Sequence, residues 1–236
     1  MAGDVPTAGL GVGLLGDWDT ERHQLWETVQ EMVRTGLVAG SSGNASVRLS
    51  GDRYGDAVLI TPTSLPYRNL GPKDMVVIDL EGEPVDGEHA PSSETAIHLG
   101  IYKTRGDVGA ILHTHSIYAS VAAVAGMEIP PILDEMVVKL GGPVKVAEYA
   151  FPSTEELAQR ACEALEDRNA VLLRNHGVVG VGRTRWEAFE ACQLVERAAQ
   201  IFVYASMLGR ANPLAPEIVN MEQELFRMQR MTHRGP

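Results

Sequence analysis

The sequence predicts an α/β protein: a three-layer α/β/α sandwich around a central, mainly antiparallel sheet. Strand-like runs at 46–49, 57–61 and 75–79 follow one another across Gly, Pro and Asp turn signals with no helix between them, which favours antiparallel pairing. Long amphipathic segments later in the chain are available to cover a sheet. Neither GxGxxG after a strand nor GxxxxGK[ST] occurs, so a dinucleotide or Walker-type nucleotide fold has no support.

The elements can be taken in chain order. Residues 1–17 combine Gly, Pro and small side chains and read as a flexible N-terminal arm, leaving 18–236 as a single domain. Leu25, Trp26, Val29, Met32, Val33 and Leu37 follow helical spacing, which predicts a helix over 18–38 with Asp19 or Thr20 as its cap. After the three strands, a helix fits 93–104, a strand 108–115 and a helix 117–125. Strands are then expected near Val137 and Val144, followed by a helix over 153–168. Strands at 170–174 and 178–181 and helices over 184–208 and 216–230 complete the chain.

Composition bounds the function. With 44% hydrophobic, 22% charged and 6% aromatic residues over 236 positions, this is a globular composition with an aliphatic core. The net charge of −11 comes without a basic run, which argues against nucleic-acid binding. An anionic substrate still fits, provided that backbone N–H groups and hydroxyls form its site. Cys162 and Cys192 lie in helical segments with no CxxC spacing, as expected of buried thiols in a reducing compartment. No basic leader or apolar run of membrane-spanning length is present, so the expectation is a cytoplasmic protein with no membrane partner.

The chemistry is expected from three histidines. His113 and His115 close a strand-like run, and residues i and i+2 of a strand point to one face. His176 ends another such run, just before Gly177. Three neutral imidazoles and one oxygen ligand suit a divalent metal such as zinc while leaving a position for substrate. Pro91-Ser92-Ser93-Glu94 opens a helix, where N–H groups, the helix dipole and hydroxyls favour a phosphate. Glu94 is a candidate for the oxygen ligand, and for the base once substrate displaces it. The turns 43–46 and 61–64 carry hydroxyls, amides and small residues that let a ligand approach the backbone. His98, one turn after Glu94, reads as a satisfied core histidine, whereas His23, His89 and His233 read as solvent-facing.

In order, GNAS (43–46), TPTS (61–64), PSSE (91–94), HTHS (113–116) and NHG (175–177) resemble the motif series of the class II aldolase/adducin family over residues 20–210. The resemblance implies that His113, His115, His176 and Glu94 hold Zn2+, with Mn2+, Co2+ or Fe2+ as the other candidates. It also implies that Glu94 is the acid/base, and that Gly43, Asn44, Thr63, Ser64, Ser92 and Ser93 cradle a substrate phosphate. The implied reaction is retro-aldol cleavage of a ketose 1-phosphate, such as L-fuculose 1-phosphate, to dihydroxyacetone phosphate and a short aldehyde. The implied assembly is a cyclic homotetramer whose sites are completed by a neighbouring subunit. The sequence departs from the family's aldolases in three places. They carry glycine at Ser64, a tyrosine proton donor where this chain has Glu135 or, one register earlier, Asp134, and a C-terminal tyrosine that 228–236 lacks. A sugar-phosphate 4-epimerase or a methylthioribulose-1-phosphate dehydratase would use the same site, and an adducin-like scaffold would use the fold without metal.

Overall fold

The computed structural model describes residues 18–49 and 56–232; the expected arm and His233 lie outside them. Among the described residues the sheet has eight strands: β1 Asn44–Leu49, β2 Ala57–Ile60, β3 Val76–Asp79, β4 Pro84–Asp86, β5 Ala110–Thr114, β6 Val146–Ala147, β7 Ala170–Leu173 and β8 Gly177–Gly182. Their spatial order is β4-β3-β2-β1-β5-β8-β7-β6. Every pairing is antiparallel except β6 with β7, so the expected sheet is the observed one. The helices are α1 Asp19–Arg34, α2 Thr95–Thr104, α3 Ile117–Ala125, α4 Asp134–Leu140, α5 Glu155–Leu165, α6 Arg185–Met207 and α7 Pro216–Thr232.

Strand periodicity sorts the core into layers. Val58, Ile60, Val76, Ile78, Ile111, Val171, Leu173, Val179 and Val181 pack on one face against Ile97 and Ile101 of α2 and Leu157 and Ala161 of α5. Their alternating neighbours point the other way. Ala57, Leu59, Val77 and Leu112 meet Leu25, Val29 and Met32 of α1 and Phe189 and Cys192 of α6. Ala170, Leu172 and Val178 meet α3 and the middle of α6. Helices on both faces of one sheet make the three-layer sandwich.

Some local expectations are corrected. Helix α1 starts from Trp18, in the left-handed region at φ 68°, without a side-chain cap, so Asp19 and Thr20 lie inside the helix. The run around Val137 is the helix α4 and not a strand. It buries Met136, Val137 and Leu140 at helical spacing, carries Asp134 and Glu135 in its first turn, and stops at Gly141 with φ 90°. Near Val144 there is an isolated bridge to Ile129, and the pairing proper begins at β6. Strand β4 was not expected; buried Arg22 of α1 ties it to the core by bonding both Asp86 and the Met75 carbonyl. Cys192 is fully buried and Cys162 partly so, both as free thiols. Among the described residues no helix is long and apolar enough to cross a membrane.

Candidate metal centre

Folding gathers the three histidines. His113 is on β5, His115 directly follows that strand, and His176 sits in the short β7–β8 turn, where Asn175 takes the left-handed conformation at φ 56° that asparagine tolerates better than most residues. Gly177 is required by proximity, because a Cβ there would lie 2.4 Å from the Thr114 carbonyl oxygen and 2.9 Å from His115 Cδ2. The ring centroids are 4.7, 4.7 and 5.0 Å apart.

Glu94 completes the group. It is the N-cap residue of α2, but its side chain caps nothing. Instead it turns to the rings, with Oε2 at 3.2 Å from His113 Nε2 and Oε1 at 3.3 Å from His176 Nε2. One ligand atom from each of Glu94, His113, His115 and His176 lies within 4.8 Å of all the others. His113 Nδ1 donates to the Val178 carbonyl at 3.0 Å, which leaves a lone pair on Nε2. That Nε2 is 2.8 Å from His115 Nε2 and 3.3 Å from His176 Nε2. One ring proton satisfies one such contact; a cation satisfies all of them. Buried Glu94 Oε1 has no hydrogen-bond partner, which fits the same role.

The electrostatics agree. Burial, then the charge of His113, pulls His115 and His176 each down to about 4, so their rings are neutral donors at neutral pH. Burial alone would raise Glu94, but the hydrogen bond and charge of His113, the charge of His176 and the Asn44 amide outweigh it and hold the carboxyl well below the usual range.

Three turns meet beside this group. Ala45 N–H donates to Thr61 Oγ1 at 3.2 Å and Thr61 N–H to the Ala45 carbonyl at 3.0 Å, while Pro62 and Pro91 form a bridge. Thr63 N–H donates to the Ala90 carbonyl, and Ser92 N–H to the Thr61 carbonyl, both at 3.0 Å. The turns that carry Gly43, Asn44, Thr63, Ser64, Ser92 and Ser93 are thereby tied to one another. Gly43, at φ 79°, has no room for a Cβ, which would lie 2.5 Å from the His113 carbonyl oxygen. Ser64 takes φ 61°, a left-handed conformation that glycine adopts more easily, and its side chain is exposed. Ser92 is buried and its hydroxyl accepts from Glu94 N–H at 3.2 Å.

Other expected residues stand elsewhere. Glu135 is on α4, exposed, and paired with Arg197 at 2.6 Å. Both line a cleft of about 580 Å³ whose other walls include Arg183, Glu187 and Arg230, and none of the metal-centre residues. Asp134 lies beside Glu222 of α7. His98 is a satisfied core histidine, with Ser46 and Asn44 on its two nitrogens. His89 is not simply solvent-facing, since it bonds Asp74 at 3.0 Å and is half-buried, while His23 is exposed. The sequence reading missed the Asn44 amide, which donates to Glu94 Oε2 at 2.9 Å.

Comparison with known proteins bears on this site directly. A 5-deoxy-D-ribulose 1-phosphate aldolase of Bacillus thuringiensis is 36% identical over 84% of this chain and 90% of its own length. A 5-methylthioribulose-1-phosphate/5-deoxyribulose-1-phosphate aldolase of Rhodospirillum rubrum is 38% identical over 76% of this chain and 78% of its own. Among solved structures, an L-fuculose 1-phosphate aldolase superposes with a TM-score of 0.81 at 37% identity, covering 90% of this chain and 97% of that one. The family model for the class II aldolase and adducin N-terminal domain matches residues 23–203, a span that takes in the three histidines, Glu94 and all three turns, and the chain belongs to that family.

Proposed function

We propose that this protein is a zinc-dependent aldolase that cleaves a ketose 1-phosphate to dihydroxyacetone phosphate and a short aldehyde. The observation that carries the reading is the convergence of Glu94, His113, His115 and His176 within 4.8 Å, beside three turns cross-linked through Ala45, Thr61 and Ser92. Three imidazoles and a carboxylate are the donor set that a divalent zinc site with an exchangeable position uses. When bound, the metal supplies Lewis-acid polarisation of the substrate carbonyl.

The remaining work falls to the chain itself. Backbone N–H groups at 43–44 and at Ser64, with the hydroxyls of Thr63, Ser64, Ser92 and Ser93, hold the phosphate and fix the sugar against the metal centre. Glu94 accepts the C4 hydroxyl proton as the C3–C4 bond breaks, the bonding pair stays with C3, and C3 is then protonated, so the atoms balance. Glu135 does not join the four-donor group of its own chain. It serves instead as an orienting acid in the site of a neighbouring copy within a homotetramer. Exposed Ile117, Val121 and Val124 on α3 support such an assembly. The compartment we propose is the cytoplasm.

The relatives fix the panel for the test. Zinc-loaded protein is offered L-fuculose 1-phosphate, 5-deoxy-D-ribulose 1-phosphate and 5-methylthioribulose 1-phosphate, and dihydroxyacetone phosphate is measured by a coupled reduction. Release from at least one of them is expected. An epimer or a dehydrated product formed without dihydroxyacetone phosphate would instead identify the 4-epimerase or the dehydratase.

A further inference from the structure

Between β1 and α2 runs a polar seam that the proposed reaction has not used. On β1, Asn44, Ser46 and Arg48 alternate with Ala45, Val47 and Leu49, and the second set points into the α1 layer. On α2 the stripe at four-residue steps is Glu94, His98 and Tyr102. The two rows interlock. Asn44 Nδ2 reaches Glu94 Oε2 at 2.9 Å, His98 Nε2 lies 2.5 Å from Asn44 Oδ1, Ser46 Oγ lies 2.6 Å from His98 Nδ1, and Tyr102 Oη lies 2.8 Å from Ser46 Oγ. Arg48 closes the far end, donating to the Tyr102 carbonyl at 2.6 Å with its guanidinium 4.8 Å from the phenol ring centre. His98 and Ser46 are fully buried, with Tyr102 and Asn44 nearly so.

The donors in this row have one consistent direction. A carboxylate only accepts, so Asn44 must present its amide N–H to Glu94 and its carbonyl to His98. His98 must then carry its proton on Nε2. The ring is neutral, because burial, then the charge of His113, takes it down to about 3, so Nδ1 is an acceptor for the Ser46 hydroxyl. Ser46 in turn accepts from the Tyr102 phenol. Hydrogen bonds aligned in this way polarise one another.

From this geometry we infer that His98 is a positioning residue for Glu94: backed by Ser46 and Tyr102, it locks the Asn44 amide so that Oε2 is held and Oε1 is left free for the metal centre. The inference rests on the proposed role of Glu94, and it assigns Asn44's side chain to the acid/base residue, leaving its backbone to the phosphate. Glu94 needs such support because it heads the helix without making a cap bond to it. His98, Ser46 and Tyr102 touch no substrate in this scheme.

The test combines two readouts besides turnover. In metal-free wild-type protein, 15N NMR should show His98 as the Nε2–H tautomer; the opposite tautomer would overturn the inference without any variant. In zinc titrations, His98→Leu should weaken affinity, and in zinc-loaded protein lower kcat, by ~10- to 100-fold, the range for residues behind a metal ligand. KM should stay unchanged. His98→Gln, whose amide still donates toward Asn44, should recover most of the loss. Ser46→Ala should show a smaller loss of the same kind, and it stands in should the leucine variant not fold. Wild-type affinity and kcat in a folded His98→Leu or Ser46→Ala would refute the positioning role. Should the wild type cleave no ketose 1-phosphate, the proposed function fails, while the tautomer and the zinc titration still decide on the seam.

Discussion

The metal centre and the α4 edge of the molecule are built on opposite terms. At the centre, donors from β5, the β7–β8 turn and the start of α2 are brought within 4.8 Å by one chain, and two of them, Glu94 and His113, are buried. At the α4 edge Glu135 is exposed and pairs with Arg197, in a cleft that no residue of the centre lines. The first group is preorganised and complete. The second supplies one half of something. That difference separates the two proposed roles, since the candidate metal ligands are gathered within one chain whereas the role proposed for Glu135 requires assembly, and each half of the contrast can be broken separately.

The largest effect should come from the centre. His115→Ala removes one of three rings from a site whose donors have no substitute, so bound zinc and turnover should vanish together while the fold persists. Elemental analysis of the purified variant and a dihydroxyacetone phosphate assay check this. Retention of both would take His115 out of the site.

A smaller effect is expected at the α4 edge. Glu135→Gln keeps its shape, loses the acid, and should retain zinc in full while losing kcat by ~10²-fold, at the low end for general acid–base catalysis. Mixing it with His115→Ala subunits sharpens the contrast. Random reassembly puts an intact metal centre beside an intact Glu135 in roughly a quarter of the sites of a cyclic oligomer. Activity that returns on mixing two poor variants would require a shared site; no return after verified subunit exchange would place Glu135 outside the reaction.

How much of this was legible in the sequence follows the same division. His113 and His115 were readable as a pair because strand geometry puts i and i+2 on one face, and the closely spaced runs at 57–61 and 75–79, with no helix between them, pointed to the antiparallel sheet. The 131–140 stretch misled because Val137 and Val138 carry β propensity, whereas packing against α6 and α7 makes the segment helical. The seam behind Glu94 was half visible, since His98 stands four residues after Glu94 and Ser46 two after Asn44. Linking the two rows needed the β1–α2 juxtaposition, which no local pattern encodes. The strain at Ser64 was hidden likewise, because a positive φ of 61° on serine leaves no mark in composition.

The mildest way to separate the two regions is pH. His115 and His176 fall from an ordinary value of 6.5 to about 4, and His98 to about 3, in each case chiefly through burial. In metal-free protein the unfolded chain takes up these protons as pH drops below about 6.5 while the native state does not, so the unfolded state binds more protons and stability must fall. Glu94 adds to the loss only at lower pH, as the unfolded chain protonates around its ordinary 4.5 and the native carboxyl resists. The stability of metal-free protein should therefore be greatest above pH 6.5 and decline toward pH 4, where the native His115 and His176 rings begin to take up protons themselves and their share of the decline ends while that of Glu94 continues. Urea midpoints across that range measure it. His115→Ala should flatten the decline between 6.5 and 4 by removing one of the responsible rings, because alanine takes up no proton in either state. A metal-free wild type whose midpoint stayed level from pH 7 to 5 would mean that these rings are not held neutral by the fold, and the centre would then be no more preorganised than the α4 edge.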